Sequence, residues 1–152
     1  YKEASNKNQI LAYAQLRGSQ ASSFKQLKKP AKAKEKLTEA VAMLEPMQSA
    51  ICADTLTGLG GEFATLNDYP KAIRTWKLSE QKLKEFDDTT AGAQSMPAGY
   101  FLGQYYINTG DTDAAIKHID EALNFLRTKL PTHRSLIKKA ERLMKEAQDK
   151  AS

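Results

Sequence analysis

The spacing of apolar residues is the feature that most restricts the fold of this chain. In the last segment, residues 133–149, apolar side chains recur one or three residues apart, which places them on one stripe of a helix with about 3.6 residues per turn. The stripe consists of Leu136, Ile137, Ala140, Leu143, Met144 and Ala147. No stretch of the chain shows the two-residue alternation of a half-buried strand. The sequence therefore predicts an all-α fold.

Turn signals divide the chain into seven predicted helices. Three short turns separate periodic stretches at Leu27–Pro30, Asn67–Pro70 and Thr109–Thr112. A proline in the first helical turn loses no useful N–H, and Asn, Asp or Thr caps the free N–H groups there. The predicted helices span residues 5–28, 30–44, 47–67, 70–87, 97–108, 112–127 and 133–149. Asp87–Ser95 is predicted as a mobile loop, with extension of the flanking helices as the alternative, because Ala and Gln are good helix formers.

Composition excludes several classes of protein. The length of 152 residues suits one domain or a short repeat array, and the single cysteine, Cys52, has no partner for an internal disulfide. No run of about 18 apolar residues exists, so no transmembrane segment is predicted. The chain starts at Tyr1 instead of Met, so we expect a fragment or a processed form. A lone thiol favours a reducing compartment such as the cytoplasm, although the localisation itself stays open.

The predicted helices form pairs with a repeated pattern. When the turns at Lys28, Asn67 and Gly110 are aligned, the pairs superimpose without gaps. A small residue and then an aromatic one precede each turn: Ala21 and Phe24, Gly60 and Phe63, Gly103 and Tyr106. An alanine, a large apolar residue and a small residue follow it: Ala33, Leu37 and Ala40; Ala72, Trp76 and Ser79; Ala115, Ile119 and Ala122. This order resembles the tetratricopeptide repeat, in which small residues let two helices cross closely.

The resemblance implies an α-solenoid, which is a right-handed superhelix of antiparallel helix pairs, formed by residues 1–152 as a single domain. The repeats would occupy roughly residues 5–45, 47–87 and 97–127, followed by a capping helix at 133–149. Equivalent alanines lie 39 and 43 residues apart, whereas the usual repeat has about 34 residues, so an extended variant is indicated. The first repeat departs from the pattern, since Gln20 stands where Leu is expected. An ordinary helical bundle is the alternative.

In tetratricopeptide arrays, the first helix of each pair lines a concave groove that binds a peptide or a helix of a partner protein. Transferred by position, the resemblance assigns this groove to Ser22, Gly58, Gly61, Thr65, Tyr100, Phe101, Gln104 and Asn108. A glycine inside a helix costs roughly 0.5–1 kcal/mol relative to alanine. We therefore expect Gly58 and Gly61 to let the backbone of a partner approach the floor of the groove.

The other groove positions have expected roles as well. Gln104 and Asn108 would hydrogen-bond to the partner's backbone, and Tyr100 and Phe101 would form an anchor pocket. Two alternatives stay open. The glycines could instead permit close packing of neighbouring helices, or the chain's own N-terminal segment could fill the groove.

One familiar role is excluded by the groove residues. Co-chaperone repeats of this family grip a chaperone's C-terminal carboxylates with Lys, Arg and Asn side chains. The matching positions in this chain are Gly18, Ser22, Gly58, Pro97 and Phe101. None of these side chains can pair with a carboxylate, so no chaperone carboxylate clamp is predicted.

The net charge of +5 is concentrated in residues 1–45, which carry 9 basic and 4 acidic residues. A basic patch around the first turn consists of Lys25, Lys28, Lys29, Lys32 and Lys36. Such a patch suits an acidic protein, an anionic membrane or a nucleic acid. However, Lys predominates over Arg, no aromatic residues interleave with the cations, and Glu35 and Glu39 dilute the charge. A solvated surface is therefore favoured over a nucleic-acid site.

No group of residues has the spacing of a catalytic or metal site. The segment Gly58–Gly61 lacks the third glycine and the preceding strand of a dinucleotide-binding loop. His118, His133 and Cys52 are too isolated to bind a metal. His118 is instead expected to form a surface pair with Asp120, and Cys52 to be a small buried filler. The sequence predicts no enzyme, no cofactor and no metal.

The predicted function is that of a protein–protein interaction module or scaffold. It would bind a peptide or a helix of a partner protein in the groove. The alternatives are an architectural subunit of a larger assembly whose groove is already occupied, and a basic surface for nucleic acid or an anionic membrane.

Overall fold

The computed structural model of the chain is all-α, as predicted. It describes residues 2–88 and 95–152, and every regular element within these ranges is helical. The seven α-helices are α1 (Lys2–Gln26), α2 (Pro30–Leu44), α3 (Ala53–Thr65), α4 (Tyr69–Glu85), α5 (Ala98–Thr109), α6 (Thr112–Lys129) and α7 (Arg134–Ala151). A short 3₁₀-helix, η1 (Ala50–Cys52), directly precedes α3.

The helix predicted from residue 47 starts later than expected, and most of the predicted loop Asp87–Ser95 lies outside the described residues. The helix predicted from residue 47 begins only at η1, because Ser49 is extended and its side chain accepts the N–H of Ile51 as the N-cap. The predicted mobile loop Asp87–Ser95 lies largely outside the described residues, which exclude residues 89–94. Asp87, Asp88 and Ser95 themselves are not helical.

The chain divides into two compact units, an N-terminal unit (Tyr1–Thr89) and a C-terminal unit (Thr90–Ser152). In the N-terminal unit α1 packs on α2 and α3 packs on α4, while α3 also contacts both α1 and α2. In the C-terminal unit α5 packs on α6, and α7 contacts both of these helices. Each unit therefore contains a helix pair against which the next helix of the chain packs.

The three short turns have the same backbone geometry. Lys28, Asn67 and Gly110 all have a positive φ, of 57°, 59° and 87°. After each of them, the next backbone N–H donates to the carbonyl of the aromatic residue five positions earlier, over 2.8 to 2.9 Å. The donor and acceptor pairs are Lys29 and Phe24, Asp68 and Phe63, and Asp111 and Tyr106. The three turns that align in the sequence thus share a six-residue hydrogen-bonded motif that ends a helix.

Stability should respond in opposite directions to substitutions at these turns. The left-handed conformation costs an ordinary side chain about 1 kcal/mol but costs glycine almost nothing. Lys28→Gly and Asn67→Gly should therefore each raise the free energy of unfolding by up to about 1 kcal/mol, and Gly110→Ala should lower it by about 1 kcal/mol. Urea denaturation of each variant measures these changes. Lys29→Ala is the control for Lys28, and loss of stability in Lys28→Gly would contradict the shared geometry.

Two glycines lie where the paired helices approach most closely. A Cβ atom added to Gly60 would lie 2.5 Å from Cδ1 and Nε1 of Trp76, and one added to Gly103 would lie 2.3 Å from Cγ1 of Ile119. The alanines that follow the turns, Ala33, Ala72 and Ala115, are fully buried. The small residues of the repeated pattern are thus required by the packing between the two helices of each pair.

Polar contacts fasten the segment before α3 to the end of α4. The carboxylate of Asp88 accepts hydrogen bonds from the Ser49 hydroxyl and, over 2.7 Å, from the N–H of Ala50. Nearby, Nζ of Lys82 donates to the carbonyls of Glu45 and Met47 over 2.7 and 2.6 Å. Side chains of α4 and of the segment after it therefore fix the connection between α2 and η1.

The Asp88 contact should make stability depend on pH. The hydrogen bond from Ser49 lowers the pKa of the Asp88 carboxyl in the folded state. Its stabilising effect is therefore fully present above the ordinary aspartate pKa of about 3.9 and is lost as the pH falls through the lower folded pKa. We expect Asp88→Asn to be less stable than the wild type near neutral pH, and the difference to shrink as the pH is lowered below about 4. Thermal unfolding at a series of pH values measures this, with Asp87→Asn as the control. A difference that stays constant over the series would contradict the contact.

Candidate peptide-binding surface

One stripe of α3 is open to solvent. Asp54, Gly58, Gly61 and Thr65 follow one another at intervals of three or four residues, so they lie on one side of the helix. Gly58 and Thr65 are exposed and Gly61 is half-buried. A Cβ atom added to Gly58 or Gly61 would have no neighbour within 4 Å among the described residues. The floor of this stripe is therefore bare backbone over one turn of the helix.

Two alternative reasons for Gly58 and Gly61 follow from the sequence: close packing of a neighbouring helix, and filling of the groove by the chain's own N-terminal segment. Close packing of a neighbouring helix explains Gly60, but within the described residues it does not explain Gly58 or Gly61. The N-terminal residues Lys2–Gln26 form α1, which contacts α3. Among the described residues of the N-terminal unit, the backbone of α3 is open at Gly58 and Gly61.

Helix α1 borders this stripe. Nε2 of Gln15 lies 3.4 Å from Oγ1 of Thr55, and Nζ of Lys25 donates to Oγ1 of Thr65 over 3.2 Å. Ser22 lies on the same side of α1 as Gln15 and Lys25, at helical spacing, and is half-buried. The four predicted groove residues of the N-terminal unit therefore share one surface. This α1–α3 surface is defined by Ser22, Gly58, Gly61 and Thr65.

The four groove residues predicted in the C-terminal unit all lie on α5, in different environments. Tyr100 is only 6% exposed and belongs to the core of the unit. Its ring lies 5.4 Å from that of Phe101 in an edge-to-face contact, and Nζ of Lys139 on α7 lies 5.4 Å from its centroid. Burial raises the pKa of Tyr100. Tyr100 is therefore a packing residue between α5 and α7 and has little surface to offer as an open anchor.

The remaining α5 residues are more accessible. Gln104 and Asn108 are exposed, one helical turn apart, and Phe101 is half-buried. Nε2 of Gln104 donates to the hydroxyl of Tyr100 over 3.4 Å. The two predicted amide residues are therefore at the surface of the C-terminal unit, and one of them also contacts Tyr100.

The basic patch is partly neutralised. Nζ of Lys25 lies 3.6 Å from a carboxylate oxygen of Glu62, and Nζ of Lys36 lies 3.3 Å from one of Glu39. Lys32 lies over the ring of Phe24, 5.7 Å from its centroid. Lys28 and Lys29 are exposed at the turn between α1 and α2. The patch consequently presents a weaker positive field than its five lysines suggest.

Two of the residues considered for chemistry, His118 and Cys52, are buried. The expectation that His118 forms a surface pair is wrong: its side chain is 9% exposed and its ring stacks on Tyr106 at 5.5 Å. Cys52 is fully buried, as predicted, and burial raises the pKa of its thiol.

Comparisons of the chain with protein-family models and with curated proteins identify no relative. No protein-family model matches the chain, and no curated protein shows significant similarity to it. Among the described residues, none of the helices combines the length and the apolar character needed to cross a membrane. The function must therefore be inferred from the surfaces themselves.

Proposed function

We propose that the chain is a tetratricopeptide-like interaction module whose α1–α3 surface binds an extended peptide or a helix of a partner protein. The observation that carries the proposal is the open backbone at Gly58 and Gly61, two helix-interior glycines that no packing contact within the described residues requires. Each such glycine costs roughly 0.5–1 kcal/mol in helix stability. Close approach of a partner's backbone to α3 would explain why glycine is present at these two positions despite this loss of helix stability.

The repeated geometry supports the family assignment. The three turns share a positive φ and the same hydrogen bond, and Gly60 and Gly103 occupy equivalent positions of close approach. The next helix of the chain packs against the helix pair in each unit, as neighbouring repeats do in such arrays. In a tetratricopeptide array the first helices of the pairs, here α1 and α3, form the binding face.

The surface also has suitable polar groups at its edge. Ser22 lies on α1, and on α3 the hydroxyl of Thr65 donates to the carbonyl of Glu62 over 2.7 Å and accepts from Nζ of Lys25, so it can serve a partner only as a further acceptor. In the C-terminal unit, taken by itself, Gln104 and Asn108 occupy the repeat positions of Gly61 and Thr65. Hydroxyl and amide groups can hydrogen-bond to the main chain of a bound peptide without requiring a particular partner side chain. A bound segment would thus be recognised through its backbone as well as through its shape.

A basic-surface function has less support. Two of the five lysines of the patch are paired with acidic side chains, and a third lies over an aromatic ring. Binding that depends on phosphate neutralisation would weaken steeply with salt. We expect the main interaction of this protein to be only weakly dependent on salt.

Substitution of Gly61 tests the proposed function. Peptides would be selected on the wild-type protein from a random display library, and their affinities measured by fluorescence anisotropy. Gly61→Leu places a branched side chain on the open backbone, so it should weaken binding by at least about tenfold, while helicity and the unfolding midpoint stay at or above the wild-type level. The matched control is Ala31→Leu, which adds the same side chain to an exposed position of α2 outside both surfaces.

The outcomes separate the competing functions. Equal affinity of Gly61→Leu and the wild type would contradict binding at the α1–α3 surface. Loss of binding on neutralising Lys28 and Lys29, combined with a steep salt dependence, would favour the basic-surface function. Failure to select any peptide, together with recovery of the protein in a large complex from its native extract, would favour an architectural subunit whose groove is occupied.

A further inference from the structure

A second concave feature of the N-terminal unit lies between α2 and α4. This cleft has a volume of about 440 Å³, and Phe63 contributes to its lining. Val41 and Ala42 line it from α2, and Leu78 lines it from α4. It shares none of the residues that define the α1–α3 surface, so it constitutes a separate site.

The lining residues follow helical stripes. On α2 they recur from Thr38 to Glu45, and on α4 from Lys71 to Gln81, at intervals of one to three residues. At 1.5 Å of rise per residue, these stripes are about 10 and 15 Å long. Two to three turns of an added helix have the same length, and its apolar side chains at i, i+4 and i+7 would span about 10 Å. The cleft is thus elongated in the manner of a helix-binding groove.

Charge is distributed unequally over the two walls. The α4 wall carries Lys71, Arg74 and Lys77, whereas the α2 wall carries a single charged residue, Glu45. Arg74 and Lys77 are exposed, and Lys71 lies 4.0 Å from the carboxylate of Asp68 and 5.9 Å from the ring centroid of Phe63. A ligand in the cleft therefore meets apolar side chains from both walls and positively charged side chains from α4. A complementary ligand carries negative charge on the flank that faces α4.

We propose that the cleft between α2 and α4 is a docking site for an acidic amphipathic helix of a partner protein. Apolar side chains of this helix pack against Val41, Ala42 and Leu78, and its Asp or Glu residues pair with Arg74. The site is distinct from the α1–α3 surface, so the module can contact two segments at once.

The test uses a synthetic peptide as the probe. It has about 15 residues, with Leu at helical i, i+4 and i+7 spacing and Glu along one flank, and a fluorescent label for anisotropy. A matched peptide has Lys in place of every Glu. The protein variants are Arg74→Glu, which reverses a cation of the cleft, Ala42→Glu, which places a carboxylate in it, and Lys84→Glu, which makes the same charge change as Arg74→Glu on α4 outside the cleft.

We expect the acidic peptide to bind the wild type, and Arg74→Glu and Ala42→Glu each to weaken binding by about tenfold or more. Lys84→Glu should change the affinity by less than about threefold, as is usual for a charge outside an interface. Equal losses in Arg74→Glu and Lys84→Glu would overturn the proposal, because they would indicate attraction by net charge alone. So would equal binding of the Lys peptide, or the absence of binding by the acidic one.

A lipid-like ligand and a second copy of the chain are distinguishable outcomes. Saturable binding of dodecyl phosphate below its micelle concentration, without binding of the acidic peptide, would assign the cleft to an amphiphilic anion and overturn the proposal. A concentration-dependent dimer that Ala42→Glu dissociates would assign it to a second copy, with the same consequence. Because Gly61→Leu leaves the cleft intact, failure at the cleft and failure at the α1–α3 surface are measured independently.

Discussion

Gly60→Ala is expected to lower the free energy of unfolding by about 2 kcal/mol, whereas Gly61→Ala, one residue further along the same helix, should raise it by about 0.5–1 kcal/mol. The opposite signs follow from what surrounds each Cβ atom. At Gly60 the added carbon would lie 2.5 Å from the indole of Trp76, while at Gly61 nothing within the described residues lies within 4 Å. The gain in helix propensity is similar at the two positions, so the difference reports packing alone.

The indole of Trp76 has little freedom to avoid this clash. The residue is 5% exposed, and its Nε1 donates to the carbonyl of Thr57 over 3.0 Å. Moving the ring therefore breaks a buried hydrogen bond, which contributes about 1 kcal/mol. Urea denaturation followed by the fluorescence of Trp76, the single tryptophan of the chain, measures both variants. Gly103→Ala should be destabilising for the same reason, because its Cβ would meet Ile119. A stabilised Gly60→Ala would contradict the close crossing of α3 and α4.

Lys82→Met is expected to lower the free energy of unfolding by about 2 kcal/mol. Lys82 is 6% exposed, and its Nζ donates to the carbonyls of Glu45 and Met47. Methionine fills a similar volume but donates no hydrogen bond, so the carbonyl of buried Met47 loses its charged donor. The ammonium also lies 5.7 Å from the ring centroid of Phe86, and this contact is lost as well.

The control for Lys82 lies two residues away. Lys84 is exposed on the same helix, and Lys84→Met should change the free energy of unfolding by less than about 0.5 kcal/mol. Thermal and urea denaturation compare the two variants. Similar small effects of Lys82→Met and Lys84→Met would show that the ammonium of Lys82 does not hold the connection between α2 and η1.

Much of the fold follows from patterns of a few residues. Apolar spacing at 3.6 residues predicts the helices, and the turns at Lys28, Asn67 and Gly110 could be aligned because small and aromatic residues recur at fixed distances from them. The small residues Gly60 and Gly103 lie where the two helices of a pair cross closely, as the repeated pattern predicts. These features are local, since each depends on residues within one helix pair.

Other features could not be predicted because they depend on contacts between distant residues. Lysine is usually found at the surface, but Lys82 is buried because its Nζ donates to backbone carbonyls about 35 residues earlier in the chain. The sequence pattern places Tyr100 at an open groove, whereas in the structure Nζ of Lys139 on α7 lies over its ring. His118 is buried by stacking on Tyr106 of the preceding helix. Periodicity identifies the face of a helix that packs inward, but it does not identify which neighbour covers a residue at the edge of that face.

The candidate binding surfaces also include one feature that the sequence predicts and one that it does not. The open glycines Gly58 and Gly61 could be selected from the sequence, because a helix-interior glycine is costly and needs a reason. The cleft between α2 and α4 could not, since it is a space between two helices that are separated in the chain by α3. Its cations, Arg74 and Lys77, have the spacing of any solvated helix face.

The central claim, that a partner binds the α1–α3 surface, is tested most directly by two-dimensional ¹H–¹⁵N NMR during titration with a peptide selected on the wild-type protein. Gly58 and Gly61 lie on the proposed surface, whereas Ala42 and Gln81 line the separate cleft. We predict that the amide resonances of Ser22, Gly58, Gly61 and Thr65 shift with the peptide concentration, while those of Ala42 and Gln81 stay in place. Shifts of Ala42 and Gln81 with unchanged resonances of Gly58 and Gly61 would contradict the claim.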